Sequence, residues 1–142
     1  MHFSVQADHL HLLVEADDKS SLSRGLTGLA IRVARAVNRV LRRTGRVWDD
    51  RFHARALRSP REVRHAIVYV LMNSKKHLPG APNFDPCSSA ASFTGWTLPP
   101  SHDAPPLAPD EQMTCPPETW LLRVGWKRYG MVSPNERPCG QL

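Results

Sequence analysis

Cysteine is scarce in this chain of 142 residues, and what there is does not pair: Cys87, Cys115 and Cys139 are odd in number and no two form a C-x-x-C. Neither a disulfide framework nor a thiolate zinc site is indicated, and the chain reads as an intracellular, reduced protein. Long apolar runs are missing as well. A spanning helix needs about 20 such residues, and Asp8, His9 and His11 interrupt any apolar stretch that a secretory leader would require. Acidic residues are outnumbered, 13 against 19 Lys and Arg, for a formal net charge of +6. Proline is nearly absent from the first half: twelve of the thirteen lie after residue 78, and residues 97–118 read as a loop without a core of their own. The length leaves room for about one domain.

What is present is placed unevenly. Arg24, Arg32, Arg35, Arg39, Arg42, Arg43, Arg46, Arg51, Arg55, Arg58, Arg61 and Arg64 all fall within residues 24–64. A solvated helix face accounts for some of them. Their density favours a surface facing phosphates.

Residues 2–7 and 9–15 read as two short strands with Ala7 and Asp8 at the turn. Side chains alternate along a strand, so His9 and His11 share one face, and Leu10, Leu12 and Val14 the other. Two neutral imidazoles on one face can ligate one divalent metal ion; the alternative is a pair of half-exposed strand residues with no task. Next, Ser20 or Ser21 is expected to cap a helix whose apolar positions Leu22, Leu26, Leu29, Val33, Val37 and Val40 recur at helical spacing, with Gly45 closing it. Residues 52–57 alternate moderately and suggest another strand.

The sharpest local signature is "SPREVRHAIVYVLMNSKKH". Ser59 stands as N-cap, Pro60 at the first helical position and Glu62 as the capping-box partner. On the helix that follows, Val63, Ala66, Ile67, Val70, Leu71 and Ser74 share one side, while His65, Tyr69 and Asn73 line up at steps of four on another. That polar line is either an ordinary exposed face or a site. Late in the chain, "PPETWLLRVGWKRYG" predicts a short helix between Pro117 and Gly130 that packs Trp120, Leu121 and Val124 onto the rest. Trp120, Trp126 and Tyr129 could stack bases instead.

Taken together, H-L-H on a strand, an arginine-bearing helix, "GRVWDDRFHARALRSPREVRHAIVYVLMN" and a helix with Tyr69 and Asn73 resemble the REP-associated tyrosine transposases, relatives of the single-tyrosine insertion-sequence transposases of the HUH endonuclease class. The resemblance covers residues 2 to about 80. It implies a transposase domain over residues 1–80 and a proline-rich extension over 81–142 that packs on it. It makes His9, His11 and Asn73 the metal ligands and Tyr69 the nucleophile, with Mg2+ or Mn2+ as cofactor and no small-molecule cofactor. The implied reaction cuts single-stranded DNA, leaving a 5′-phosphotyrosine link and a free 3′-hydroxyl that can reseal or transfer the strand. A free tyrosine is a weak nucleophile at neutral pH, so a cation that stabilises charge on the phosphate is needed. Arg32, Arg35, Arg39, Arg42, Arg43, Arg46, Arg51 and Arg55 would pair with the backbone of single-stranded or hairpin DNA. His65 and His53 would support a ligand or touch DNA, or are plain surface histidines.

Many relatives have Asn-Pro where this chain has Asn73-Ser74, so the tyrosine helix is expected to run on toward Pro79. The implied fold is α+β, a ferredoxin-like antiparallel sheet with helices on one face. The chain starts at what corresponds to the second strand, with the first strand and helix missing, and marginal stability and weak activity are expected of it. A cytoplasmic monomer or homodimer without membrane contact completes the expectation. A hairpin-binding remnant without cleavage and a metal-dependent hydrolase in which Tyr69 is a bystander are the competing readings.

Overall fold

The alternation near the start of the chain produces an antiparallel hairpin, β1 (His2–Val5) paired with β2 (Leu10–Leu13) in the register His2↔Leu13, Phe3↔Leu12, Ser4↔His11 and Val5↔Leu10. Gln6 N–H donates to the His9 carbonyl at 2.9 Å and closes the turn. The structure is a computed structural model and describes residues 1–77, 84–97 and 114–138. It is a small α+β arrangement whose sheet, among the described residues, has two strands. The chain divides into two compact units, Met1–Val14 with Leu57–Leu142, and Glu15–Ala56.

Directly opposed residues of a hairpin share a face, so His2, Ser4, His11 and Leu13 project together. This is the inward face: Ser4 is fully buried and Leu13 nearly so, whereas Val5 and Val14 on the other face are exposed. Against it lies α2 (Pro60–Leu71), begun by the complete capping box: Ser59 Oγ accepts from Glu62 N–H and Glu62 Oε2 accepts from Ser59 N–H. Its buried residues are Val63, Ala66, Ile67, Val68, Val70 and Leu71. The expected run toward Pro79 is interrupted. The helix ends at Leu71, Met72 and Asn73 form a turn, and α3 (Ser74–His77) adds one more.

The other side of α2 is packed by the late segment. There α4 (Trp120–Arg123), capped by Thr119, leads into a 3-10 turn, Gly125–Tyr129, and Gly130 at φ 84° ends it. The residues that anchor it differ from those the pattern suggested: Leu122 and Trp126 are buried, Leu121 is partly buried against the core, while Trp120 and Val124 are 49% and 45% exposed. A four-residue helix followed by a 3-10 turn has no single 3.6-residue face, which is why helical spacing selected the wrong positions. Phe93 and Trp96 complete the core, with the Trp96 ring 5.1 Å from those of Phe93 and Phe84. Most of the proline-rich stretch, residues 98–113, lies outside the described residues.

In the second unit, α1 (Lys19–Val40) starts at Asp18, whose carboxylate accepts from Ser21 N–H at 2.7 Å, so the cap precedes the expected serines. At the far end Arg42 N–H reaches the Arg39 carbonyl and Arg43 N–H the Asn38 carbonyl, a Schellman closure. Its left-handed position is taken by Arg42, φ 49°, and not by Gly45. A Cβ is strained there. Arg42→Gly is therefore expected to stabilise the helix end by about 1 kcal/mol, read as a rise in urea midpoint. Residues 52–57, expected as a strand, form none. Residues 52–56 are exposed and pair with no strand among the described residues, so their backbone groups gain no ladder from extension.

A candidate metal and nucleophile site

The hairpin's inward face and the exposed flank of α2 meet at three rings. His9 Nε2 and His11 Nε2 are 3.0 Å apart, and the two rings lie edge to face with centroids 4.6 Å apart. The Tyr69 ring sits edge to face against His11 at 5.0 Å. Sequence spacing alone put the two histidines together; the packing of α2 on the hairpin brings Tyr69, 58 residues from His11, to them.

Asp8 stands beside the other nitrogen of His9. Its Oδ1 lies 2.6 Å from His9 Nδ1, so the carboxylate accepts the Nδ1 proton and leaves the Nε2 lone pair of His9 outward. Metal-bound histidines are commonly held this way by a carboxylate on the other nitrogen. Without a cation, the short Nε2 to Nε2 approach requires His11 to donate. A divalent cation would be held there by the Nε2 atoms of His9 and His11.

Asn73 follows Tyr69 by four residues, at the turn that ends α2. Its side chain is completely buried, and neither Oδ1 nor Nδ2 has a hydrogen-bond partner. A buried amide that satisfies neither its donors nor its acceptor costs about 1–3 kcal/mol. Such a group needs an explanation, and an oxygen ligand awaiting a cation supplies one. The structure brings His9, His11 and Tyr69 into contact, while the Asn73 amide, one turn after Tyr69, makes no hydrogen bond to any of them; an amide oxygen is nonetheless the donor type that could join two imidazoles on a divalent cation. Among the described residues no group of three or more His, Cys, Asp or Glu side chains is gathered where it could hold a metal.

A third imidazole lies on the same inward face. His2 Nδ1 is 3.2 Å from Ser89 Oγ and its ring meets Phe93 edge to face at 5.1 Å. Burial, and secondly the positive amino terminus, lower its pKa to about 4 from 6.5. The folded protein thus keeps this ring neutral where the unfolded chain protonates it. The resulting stability is complete above pH 6.5 and is lost as pH falls toward 4, on the order of 3 kcal/mol in all. Urea midpoints at pH 7.5 and 4.5 should show the fall, and His2→Gln should flatten it.

His65 is exposed on α2, two turns before Asn73, and His53 is exposed in the second unit. So are Arg32, Arg35, Arg39, Arg42, Arg43, Arg46, Arg51 and Arg55. Two of these are already engaged in closing the loop after α1. Arg43 donates to Asn38 Oδ1 and to the Arg46 carbonyl, and Arg46 donates to the Trp48 carbonyl. The unit Glu15–Ala56 carries ten basic and five acidic residues, and α1 contains no acidic one. Its Arg24, Arg32, Arg35 and Arg39 recur on the side opposite Leu22, Leu26, Val33 and Val37.

Two functional features escaped sequence reasoning. Asp8 was legible only as a turn residue, though a carboxylate directly before a metal-type histidine is a usable signal. Arg64, one of the twelve clustered arginines, is engaged within the fold: it holds Glu136 with two bonds of 2.7 and 3.0 Å and donates to the Gly130 and Met131 carbonyls. Comparison with protein-family models, with curated proteins and with solved structures returned no match.

Proposed function

We propose that this chain is a single-tyrosine transposase of the HUH endonuclease type, cutting single-stranded DNA at hairpin-forming repeats through Tyr69. The observation that carries the reading is the meeting of His9, His11 and Tyr69, drawn from a hairpin and a helix far apart in sequence. In the first step Tyr69 Oη attacks phosphorus; the Oη–P bond forms, the P–O3′ bond breaks, and the proton lost by the phenol balances the one gained by the leaving 3′-oxygen. In the second, a 3′-hydroxyl attacks the phosphotyrosine, restoring the phenol and joining the strands. Mg2+ or Mn2+ held by His9, His11 and Asn73 would supply Lewis-acid polarisation of the scissile phosphate. Asp8 keeps His9 in the ligating tautomer. The ring of His11 limits where Tyr69 can swing, so the phenol is presented to a bound phosphate rather than left to solvent. The exposed arginines of the second unit would bind the phosphodiester backbone in a salt-dependent way.

End-labelled single-stranded hairpin DNA is to be incubated with the protein and Mn2+ and resolved on a denaturing gel. A covalent protein–DNA adduct is expected, absent with Tyr69→Phe, which has no nucleophile, and with His11→Ala. Cleavage that persists in Tyr69→Phe without an adduct would mean a metal-activated water does the work, and the nucleophile assignment would fall. A second reading is favoured by the two-stranded sheet among the described residues: a weakened remnant that holds DNA hairpins without cutting. It predicts salt-sensitive retention of the hairpin and no adduct.

A further inference from the structure

Of the aromatic residues of the late segment, the fold buries one and displays two. Trp126 is 2% exposed, with Nε1 donating to the Leu122 carbonyl at 3.0 Å. Trp120 and Tyr129 are 49% and 54% exposed. The Trp120 ring is seated on the backbone of Gly125, where an added Cβ would come within 2.7 Å of it. The Arg128 guanidinium stands over the same ring, 4.9 Å from the centroid. An indole with one side on the main chain and a guanidinium over it is already ordered, and loses little freedom when a flat partner arrives.

The surrounding charge is mainly positive, with Glu118 the one exposed carboxylate beside Trp120 in sequence. Arg123, Lys127 and Arg128 are exposed, and no acidic residue occurs from 119 to 135. Glu136, the next carboxylate, is bound by Arg64, which holds its carboxyl below the usual range. Its charge is compensated locally and does not cancel the field of the three cations. Rigidity comes from beneath, through Leu122 and Trp126 in the core and the Arg64 bonds to the Gly130 and Met131 carbonyls.

An indole backed by the main chain and topped by a guanidinium plane, with a second exposed aromatic and further cations beside it, fits one kind of ligand: a strand whose unpaired bases stack on the guanidinium–indole pair while its phosphates meet the charge. We propose that Trp120, Arg128 and their exposed neighbours Arg123, Lys127 and Tyr129 form a stacking platform for single-stranded nucleic acid, built from residues other than those around Tyr69. A purely acidic partner would use the cations and leave the indole idle. The platform deepens the reading of the chain as a protein of single-stranded DNA, and it is tested apart from cleavage.

Fluorescence anisotropy with labelled oligodeoxythymidine is the test, with the full chain in the Tyr69→Phe background. Trp120→Ala should weaken binding roughly ten-fold, Trp120→Phe much less, and Arg128→Ala should weaken it and lower its salt dependence. An oligomer of the same length without bases should bind the parent protein as weakly as the base-bearing strand binds Trp120→Ala, and oligouridine tells whether the sugar matters. Equal binding of the base-free strand, or no change in Trp120→Ala, overturns the proposal in favour of a surface for polyanions in general. Circular dichroism shows that the variants are folded. Adduct formation by the chain with Tyr69 restored is scored separately, so either idea can fail while the other stands.

Discussion

Asn73→Leu is expected to make the protein more stable by about 1–3 kcal/mol and to remove metal-dependent adduct formation altogether. The side chain is wholly buried, with amide oxygen and nitrogen both unpaired, and leucine has nearly its shape without the unmet polar demand. Met72 before it is fully buried and Ser74 after it nearly so, so the position is held in a desolvated turn and cannot relieve the amide by reaching water. A residue that lowers stability where it stands and would ligate a cation there is the usual trade at a functional site. A cation bound only by the folded state also raises apparent stability. Mn2+ should therefore raise the melting temperature of the parent protein and leave that of Asn73→Leu unmoved. A leucine variant less stable than the parent, or one still stabilised by Mn2+, would remove Asn73 from the site.

Trp126→Ala should cost about 3–5 kcal/mol, the range for truncating a buried large aromatic. Trp126 sits where three parts of the first unit meet. Its ring lies 5.6 Å from Phe93, its indole N–H is bonded within its own turn, and an added Cβ at Gly95 would come within 2.4 Å of both Trp126 and Phe93. A glycine is required there so that the two rings can close over the chain. Domains of this size have about 5–15 kcal/mol to lose, so the variant should show a much lower urea midpoint, where Trp120→Ala, on the surface, shifts it little. Similar losses in the two variants would contradict the division into a buried anchor and a displayed ring.

Legibility in the sequence tracked locality. The capping box at Ser59 and Glu62 and the hairpin alternation rest on neighbours within a few residues, and both are as the sequence indicated. The start of α1 was misjudged because aspartate and serine serve equally as caps, and Asp18 stood ahead of the two serines. Its end was misjudged because the closing backbone bonds to the Arg39 and Asn38 carbonyls put an exposed arginine, not the nearby glycine, in the left-handed position. The expected strand at 52–57 had alternation but no partner, and only tertiary structure supplies partners. Of the site, the His9 and His11 pair and the Tyr69 line were visible as periodicities. The bond from His9 to Asp8 and the lack of any partner for Asn73 depend on how side chains settle after packing. The division between Trp126 inside and Trp120 outside depends likewise on a 3-10 turn whose phase a helical wheel misreads.

The outer edge of β1 is stitched to residues far along the chain. Val5 N–H donates to the Cys87 carbonyl at 2.8 Å, Ser4 bridges Ser88, and Ser89 Oγ accepts from Phe3 N–H and donates to the Phe3 carbonyl. An isolated two-stranded hairpin is marginal in water, and an open edge invites other strands. During synthesis the residues that clamp the hairpin emerge some eighty positions after the segment bearing both imidazoles. Contacts of such separation form slowly. A chain ending before Cys87 would keep His9, His11, Tyr69 and Asn73 yet leave the outer edge of β1 without the bonds that Cys87, Ser88 and Ser89 supply.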